Sequence, residues 1–165
     1  MTQPIDPILI LTTGGTIDKA YFDALSAYQV GDSQIRKILE MGRVAHAFEI
    51  EELMRKDSLE LTDDDRALIA ARVAGAETSR IVITHGTDTM TETAAAIGYP
   101  AGKTIVFVGA LAPARFAESD APFNLGMAFA AAQVARPGIY IAMNGTVFDA
   151  SKVRKDREKG AFVAV

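Results

Sequence analysis

The chain has 165 residues, 49% of them hydrophobic and 23% charged, with a formal net charge of -4; that supports one domain with a sizeable core. The mild charge and the lack of a basic stripe argue against a nucleic-acid surface, and no apolar run is long enough to span a bilayer. The absence of cysteine and a count of two histidines exclude disulfides, thiolate metal sites and a His-rich metal centre.

The opening residues, MTQPIDPILI, carry neither a basic start nor a long apolar core. A secretory signal is therefore not expected, and a cytoplasmic location is. Ile8–Leu11 reads as a strand, followed by the LTTGGT turn, in which Gly14 and Gly15 permit positive φ and close approach to a ligand. Residues 17–31 show no clear period and read as a surface loop, a candidate lid. Asp32 is placed as an N-cap for a helix through Ile35, Ile38 and Leu39, stopping at Gly42. Val44–Ile50 reads as the second strand and Glu51–Glu60 as a charged connection. Thr62 starts the next helix, with Asp63, Asp64 and Asp65 in its first turn. There they favour the helix dipole and read as a solvated start rather than a metal cluster.

Arg80–Thr84 is the third strand, and its helix begins near Met90 and runs to about Ile97. Thr104–Val108 is the fourth. Ser119 or Asp120 is the expected cap of a helix that holds Pro122 in its first turn and runs to about Ala135. Ile139–Ala142 is the fifth strand; Asn144-Gly145 predicts a hairpin into Thr146–Phe148. A charged tail, Ser151–Lys159, precedes the apolar Gly160–Val165, which has no evident strand partner. Alternating strands and helices predict an α/β fold with a doubly wound, mostly parallel sheet and a terminal β-hairpin, spanning residues 1–165 as one unit.

The stretch Ile81–Ala96, IVITHGTDTMTETAAA, carries the densest chemistry. A buried strand ends in a glycine turn and hands Thr87, Asp88, Thr89 and Thr91 to a helix start, at the edge where open α/β sheets bind ligands. One of Thr87, Asp88 and Thr91 is expected to cap that helix, but a cap needs one such residue and four crowd here beside His85. The same order of strand, glycine and threonine recurs at TTGGT 12–16. If the two strands are parallel, Thr16 and Thr87 flank one cleft. A threonine hydroxyl attacks only once a base takes its proton; Asp88 lies next to Thr87, and a desolvated lysine such as Lys152 or Lys155 could also serve. Composition alone reads those two lysines as a solvated tail. His85 reads as structural, and Arg115 and Glu118 as loop stabilisers.

TGGTI at 13–17, HGTDTMTETA at 85–94, SDAPFNL at 119–125 and NGTVFDASKVRK at 144–155 together resemble the bacterial-type L-asparaginase family, in that family's order and across nearly the whole chain. The resemblance implies a flavodoxin-like α/β sheet and hydrolysis of L-asparagine, or L-glutamine, by acyl transfer, with no metal or organic cofactor. It implies that Thr16 is the primary nucleophile and that Tyr28, in SAYQVG, serves it. Thr87 is then the second reactive threonine, and Lys155 pairs with Thr87 and Asp88. Asp57 and Ser58 form the substrate turn; Ser58 holds the α-carboxylate and Asp88 the α-ammonium. The Gly15 and Gly86 turns offer N–H groups to the oxyanion. Chains of that family are about twice this length for a two-domain protein. The carboxylate donated by a second domain is thus not expected here, nor the Gln that often follows the substrate Ser, where Leu59 stands. The family's D-G-P-N-L-like segment has Ala121 for glycine. Weak substrate affinity follows, together with a homodimer or higher homo-oligomer that covers the cleft through the Met127–Val134 helix or the Ala161–Val165 tail. A non-catalytic amino-acid-binding or regulatory domain is the alternative; a flavin site is poorly supplied with aromatic rings.

Overall fold

The computed structural model describes residues 5–165; residues 1–4, part of the stretch read above as lacking a signal, lie outside the described residues. In chain order the elements are β1 (Ile8–Gly14), β2 (Lys19–Phe22), β3 (Ala27–Val30), α1 (Ile35–Met41), β4 (Phe48–Lys56), α2 (Asp63–Ala74), β5 (Arg80–Thr84), α3 (Met90–Ile97), β6 (Thr104–Val108), α4 (Ala121–Val134), β7 (Gly138–Met143), β8 (Thr146–Asp149), β9 (Val153–Asp156) and β10 (Ala161–Ala164). Six strands form one sheet in the order β4-β1-β5-β6-β7-β8, all neighbours parallel except β8, which runs antiparallel to β7. The parallel part carries the flavodoxin-like order.

Burial on both faces explains the apolar runs of the central strands. Ile8, Ile10, Val82, Val106 and Val108 face one layer, where Ile35 and Leu39 of α1 and Leu125, Ala128 and Phe129 of α4 pack. The alternate residues Leu9, Leu11, Ile81, Ile83, Ile105 and Phe107 face the other, against Ile69 and Val73 of α2 and Met90 and Ala94 of α3. The period of two thus sorts each strand between two helical layers, which is the doubly wound arrangement.

Local signals set several boundaries. The Thr62 hydroxyl accepts the Asp65 N–H at 3.2 Å while the Asp65 carboxylate accepts the Thr62 N–H at 2.9 Å, a reciprocal cap of the kind that contributes about 1 kcal/mol. Asn144 and Gly145 both have positive φ, 52° and 72°, and join β7 to β8 directly. That left-handed pair is the geometry the Asn-Gly signal encodes.

Four expectations change. Residues 17–31 contain the β2–β3 hairpin, with Tyr21 opposite Tyr28. Asp32 caps nothing: Gln34 holds the cap position of α1 without a side-chain bond, and Asp32 instead pairs with Arg55 at 2.7 Å. The charged connection after Ile50 is the second half of β4, an edge strand whose outward charges blunt further pairing. The apolar tail does have a strand partner: β10 pairs antiparallel with β9, and Phe162 is buried. The α4 stretch offered for dimer contact also spends Ala128, Phe129, Ala131 and Ala132 on the core.

Candidate active site

The sheet order reverses direction of travel between β1 and β5, so their carboxyl ends flank a crevice of the sort that holds ligands in open α/β sheets. Glycine makes the crevice possible. Gly15 sits at φ +88°, and a Cβ there would lie 2.5 Å from the Gly86 nitrogen. A Cβ on Gly86 would lie 2.6 Å from the Ser58 hydroxyl. The turns at 14–16, 85–87 and 57–59 are therefore stacked backbone on backbone, which brings Thr16, Thr87 and Ser58 to one locus. Two threonines bind the stack together: Thr13 donates to the Thr84 carbonyl at 2.7 Å and Thr89 to the Ser58 carbonyl at 2.8 Å. Thr89 is also the cap residue of α3, and it makes no side-chain capping bond. None of Thr87, Asp88 and Thr91 holds the cap position expected for one of them. Gly15→Ala is expected to lower stability by about 2–3 kcal/mol from the backbone conformation alone, more with the contact, and to remove activity. Chemical denaturation and an ammonia assay check both halves.

The tail hairpin brings a lysine to this site. Val153 and Phe162 are buried beneath it, and the Asn144 side chain accepts the Phe162 N–H at 2.8 Å, tying β10 to the β7–β8 turn. From β9, which pairs with that anchored strand, Lys155 donates to Thr87 Oγ1 at 2.7 Å and to Asp88 Oδ1 at 2.8 Å. Lys152 stays exposed on the outside. Thr87 is 7% exposed, so its hydroxyl meets the ammonium largely away from solvent. With one lone pair occupied by Lys155, the Thr87 proton is free to point elsewhere.

The Asp57-Ser58 turn is held on its other side. Asp57 Oδ1 accepts the Leu59 N–H at 3.2 Å, and Asp57 Oδ2 pairs with Lys19 of β2 at 2.8 Å. Burial works against the Asp57 charge, but the Lys19 and Leu59 hydrogen bonds, with Lys155 nearby, hold its carboxyl below the usual range. Ser58 Oγ is buried with no hydrogen-bond partner among the described residues, a state that costs about 1–3 kcal/mol for a polar group. Lys19, Tyr28, Arg55 and Asp57 line a cavity of about 300 Å³ between the hairpin and this turn. A larger cavity, about 410 Å³, lies around Pro7, Arg72 and Gly75; Thr16, Ser58, Thr87, Asp88 and Lys155 line neither of the two.

Tyr28 is half exposed, its ring against Tyr21 and Phe116 at centroid distances of 5.4 and 5.9 Å. Among the described residues no hydrogen bond links it to Thr16. The hairpin that carries it is pinned at its base: Arg115 donates to the carbonyls of Asp18 and Asp32, both at 3.0 Å. Asp18 is 2% exposed and accepts the Gln34 N–H at 2.9 Å. Burial pushes its carboxyl up to about 6, against the Gln34 and Ser33 hydrogen bonds and Arg115. Its ionised form is the strained one, so stability falls as pH rises from about 4 to 6. Asp18→Asn is expected to match the natural chain below pH 4 and to exceed it above pH 7 by up to about 3 kcal/mol. Denaturation curves across that range check it, and a gap independent of pH would contradict it.

His85 is fully buried between the Gly86 carbonyl and Thr93 Oγ1, both at 2.7 Å. Burial depresses it to about 4 despite the Gly86 bond, so it is neutral at neutral pH and braces the loop. Sequence reasoning missed Lys19 as a site group, and Arg157, which stands 3.7 Å from Asp88. Among the described residues no group of three His, Cys, Asp or Glu is placed to hold a metal ion.

Paired glycine turns, two threonines and a lysine thus meet at the switch point of an α/β sheet. The chain belongs to the asparaginase family: the family model for the asparaginase N-terminal domain matches residues 7–162. It is 34% identical over 160 residues to a probable periplasmic L-asparaginase of Haemophilus influenzae, covering 90% of this chain and 46% of the relative. A glutaminase-asparaginase of Acinetobacter glutaminasificans shares 32% over 163 residues, covering 90% and 49%. The solved thermostable L-asparaginase of Thermococcus kodakarensis superposes with a TM-score of 0.85 at 29% identity, over 96% of this chain and 51% of that one. The chain spans about half the length of the curated relatives it matches.

Proposed function

We propose that this chain hydrolyses the side-chain amide of L-asparagine, and more slowly that of L-glutamine, through a threonine nucleophile. The observation that carries the reading is the Lys155–Thr87–Asp88 constellation held against the Gly15–Gly86 stack. Thr16 Oγ attacks the amide carbon, N–H groups of the glycine turns receive the developing oxyanion, and ammonia leaves. Water then cleaves the acyl ester and frees aspartate. Lys155 holds Thr87 and Asp88 in register; Ser58 and Asp88 meet the two ends of the amino acid. The relatives' names, L-asparaginase and glutaminase-asparaginase, support this amide class.

Affinity for asparagine is weak in this reading, because Asp88 already faces Lys155 and Arg157. A homo-oligomer is part of the same proposal: Tyr21, Phe22, Tyr28 and Phe116 are exposed together near the cleft, and light scattering at micromolar protein tests it. A non-catalytic amino-acid-binding role draws on one observation, that no side chain among the described residues hydrogen-bonds the Thr16 hydroxyl. Ammonia release from asparagine and glutamine at millimolar concentrations separates the two. Release supports hydrolysis, and saturable binding without release supports the binder.

A further inference from the structure

We infer that Lys19 is a positioning residue: its ion pair with Asp57 anchors the β2–β3 hairpin to the Asp57-Ser58 turn and so sets where Tyr28 stands. The inference rests on the amidohydrolase reading above and deepens it. The hairpin has little else to hold it. β2 and β3 form a two-stranded sheet of their own, a unit of marginal stability in water. No residue of 19–30 is fully buried, and none joins either core layer. Arg115 pins the root through the carbonyls of Asp18 and Asp32, and the Tyr28 ring meets Phe116. Among the described residues, Lys19 is the one member of 19–30 whose side chain makes a hydrogen bond or ion pair to the rest of the protein.

Strand register aims that pair. Lys19 lies opposite Val30 and Tyr21 opposite Tyr28, so the four share one face of the hairpin. Lys19, Tyr28 and Val30 of that face line the cavity of about 300 Å³ together with Arg55, Asp57 and Glu60. The other charges there have partners of their own. Arg55 donates to Glu52 at 2.9 Å and pairs with Asp32 at 2.7 Å, and the Glu60 carboxylate accepts the Asp57 N–H at 3.4 Å. Lys19 meets Asp57 at 2.8 Å with the two side chains 26% and 30% exposed, so solvent screens the pair only in part. Asp57 then works in two directions. Its Oδ1 accepts the Leu59 N–H and shapes the turn that presents Ser58, while its Oδ2 holds the hairpin. Tyr28 has no hydrogen bond to Thr16 among the described residues, so its placement is inherited from the hairpin that carries it.

The test joins hydrogen exchange to kinetics on the full chain. Lys19→Met is expected to speed amide exchange across 19–30 by about fivefold, the scale of a partly exposed ion pair, and to leave β1 and β5 protected. Asp57→Asn, which keeps an oxygen for the Leu59 N–H, is expected to speed the same amides, and Lys19→Arg to restore the natural rate. In ammonia release from asparagine, Lys19→Met is expected to lower kcat by about fivefold and to change KM by less than about twofold, because Asp57 Oδ1 still shapes the Ser58 turn. In a Tyr28→Phe background the same change is expected to lower kcat no further, since the two act through one group. Exchange across 19–30 that Lys19→Met leaves unmoved, or an equal loss of kcat with and without the Tyr28 hydroxyl, overturns the proposal. No ammonia from the natural chain overturns the amidohydrolase reading instead, and the exchange rates then decide by themselves whether Lys19 anchors the hairpin.

Discussion

Thr16→Ala is expected to lower ammonia release from asparagine by about 10³-fold or more, the scale on which loss of a nucleophile is felt, while the fold persists. Thr16 opens a short turn at the end of β1, with a partly buried side chain that makes no hydrogen bond among the described residues. Removing its hydroxyl and methyl disturbs no packing layer. The turn itself is fixed by backbone: Gly15 N–H donates to the Lys56 carbonyl at 3.0 Å and Asp18 N–H to the Gly15 carbonyl at 3.2 Å. No other hydroxyl lies in that turn to take over the attack. The check is a steady-state assay beside a denaturation curve. Full activity in a variant that melts normally would remove Thr16 from the role.

Lys155→Met is expected to lower kcat by about 10²–10³-fold, the range for losing one preorganised charged donor, with a smaller change in KM. Methionine keeps most of the side-chain stem but leaves Thr87 Oγ1 without a donor and Asp88 without its nearest cation. Both groups stay in place, held by β5 and the start of α3, so the loss is one of charge and direction rather than architecture. Lys152→Met provides the contrast: Lys152 is exposed and the same change is expected to leave kcat unaltered. Equal effects at the two positions would return Lys155 to a solvated tail.

The central sheet was legible because strands buried on both faces write an unbroken apolar run, as Ile81–Ile83 and Ile105–Val108 do. The glycine turns were legible for the opposite reason, since few residues other than glycine tolerate a positive φ against another backbone. Short hairpins were not. β2 and β3 are four residues each, too few for alternation to stand out, and the pairing of Tyr21 with Tyr28 depends on a turn with no Asn-Gly signal. β4 was half missed because an edge strand shows its charges to water. The tail was misjudged as surface because Phe162 finds its burial only once Asn144 and β9 are in place. In the site, Lys155 was reached through the family resemblance, not through spacing. The Lys19–Asp57 pair joins residues far apart in the chain, and nothing local in either segment announces it.

The central claim is that Thr16, not Thr87, carries the acyl group. Rapid acid quench of the chain with asparagine, followed by proteolysis and peptide mass analysis, tests it most directly. The account predicts an aspartyl mass on the peptide bearing Thr16 and its absence from the Thr16→Ala variant. The same mass on the peptide bearing Thr87 would contradict it.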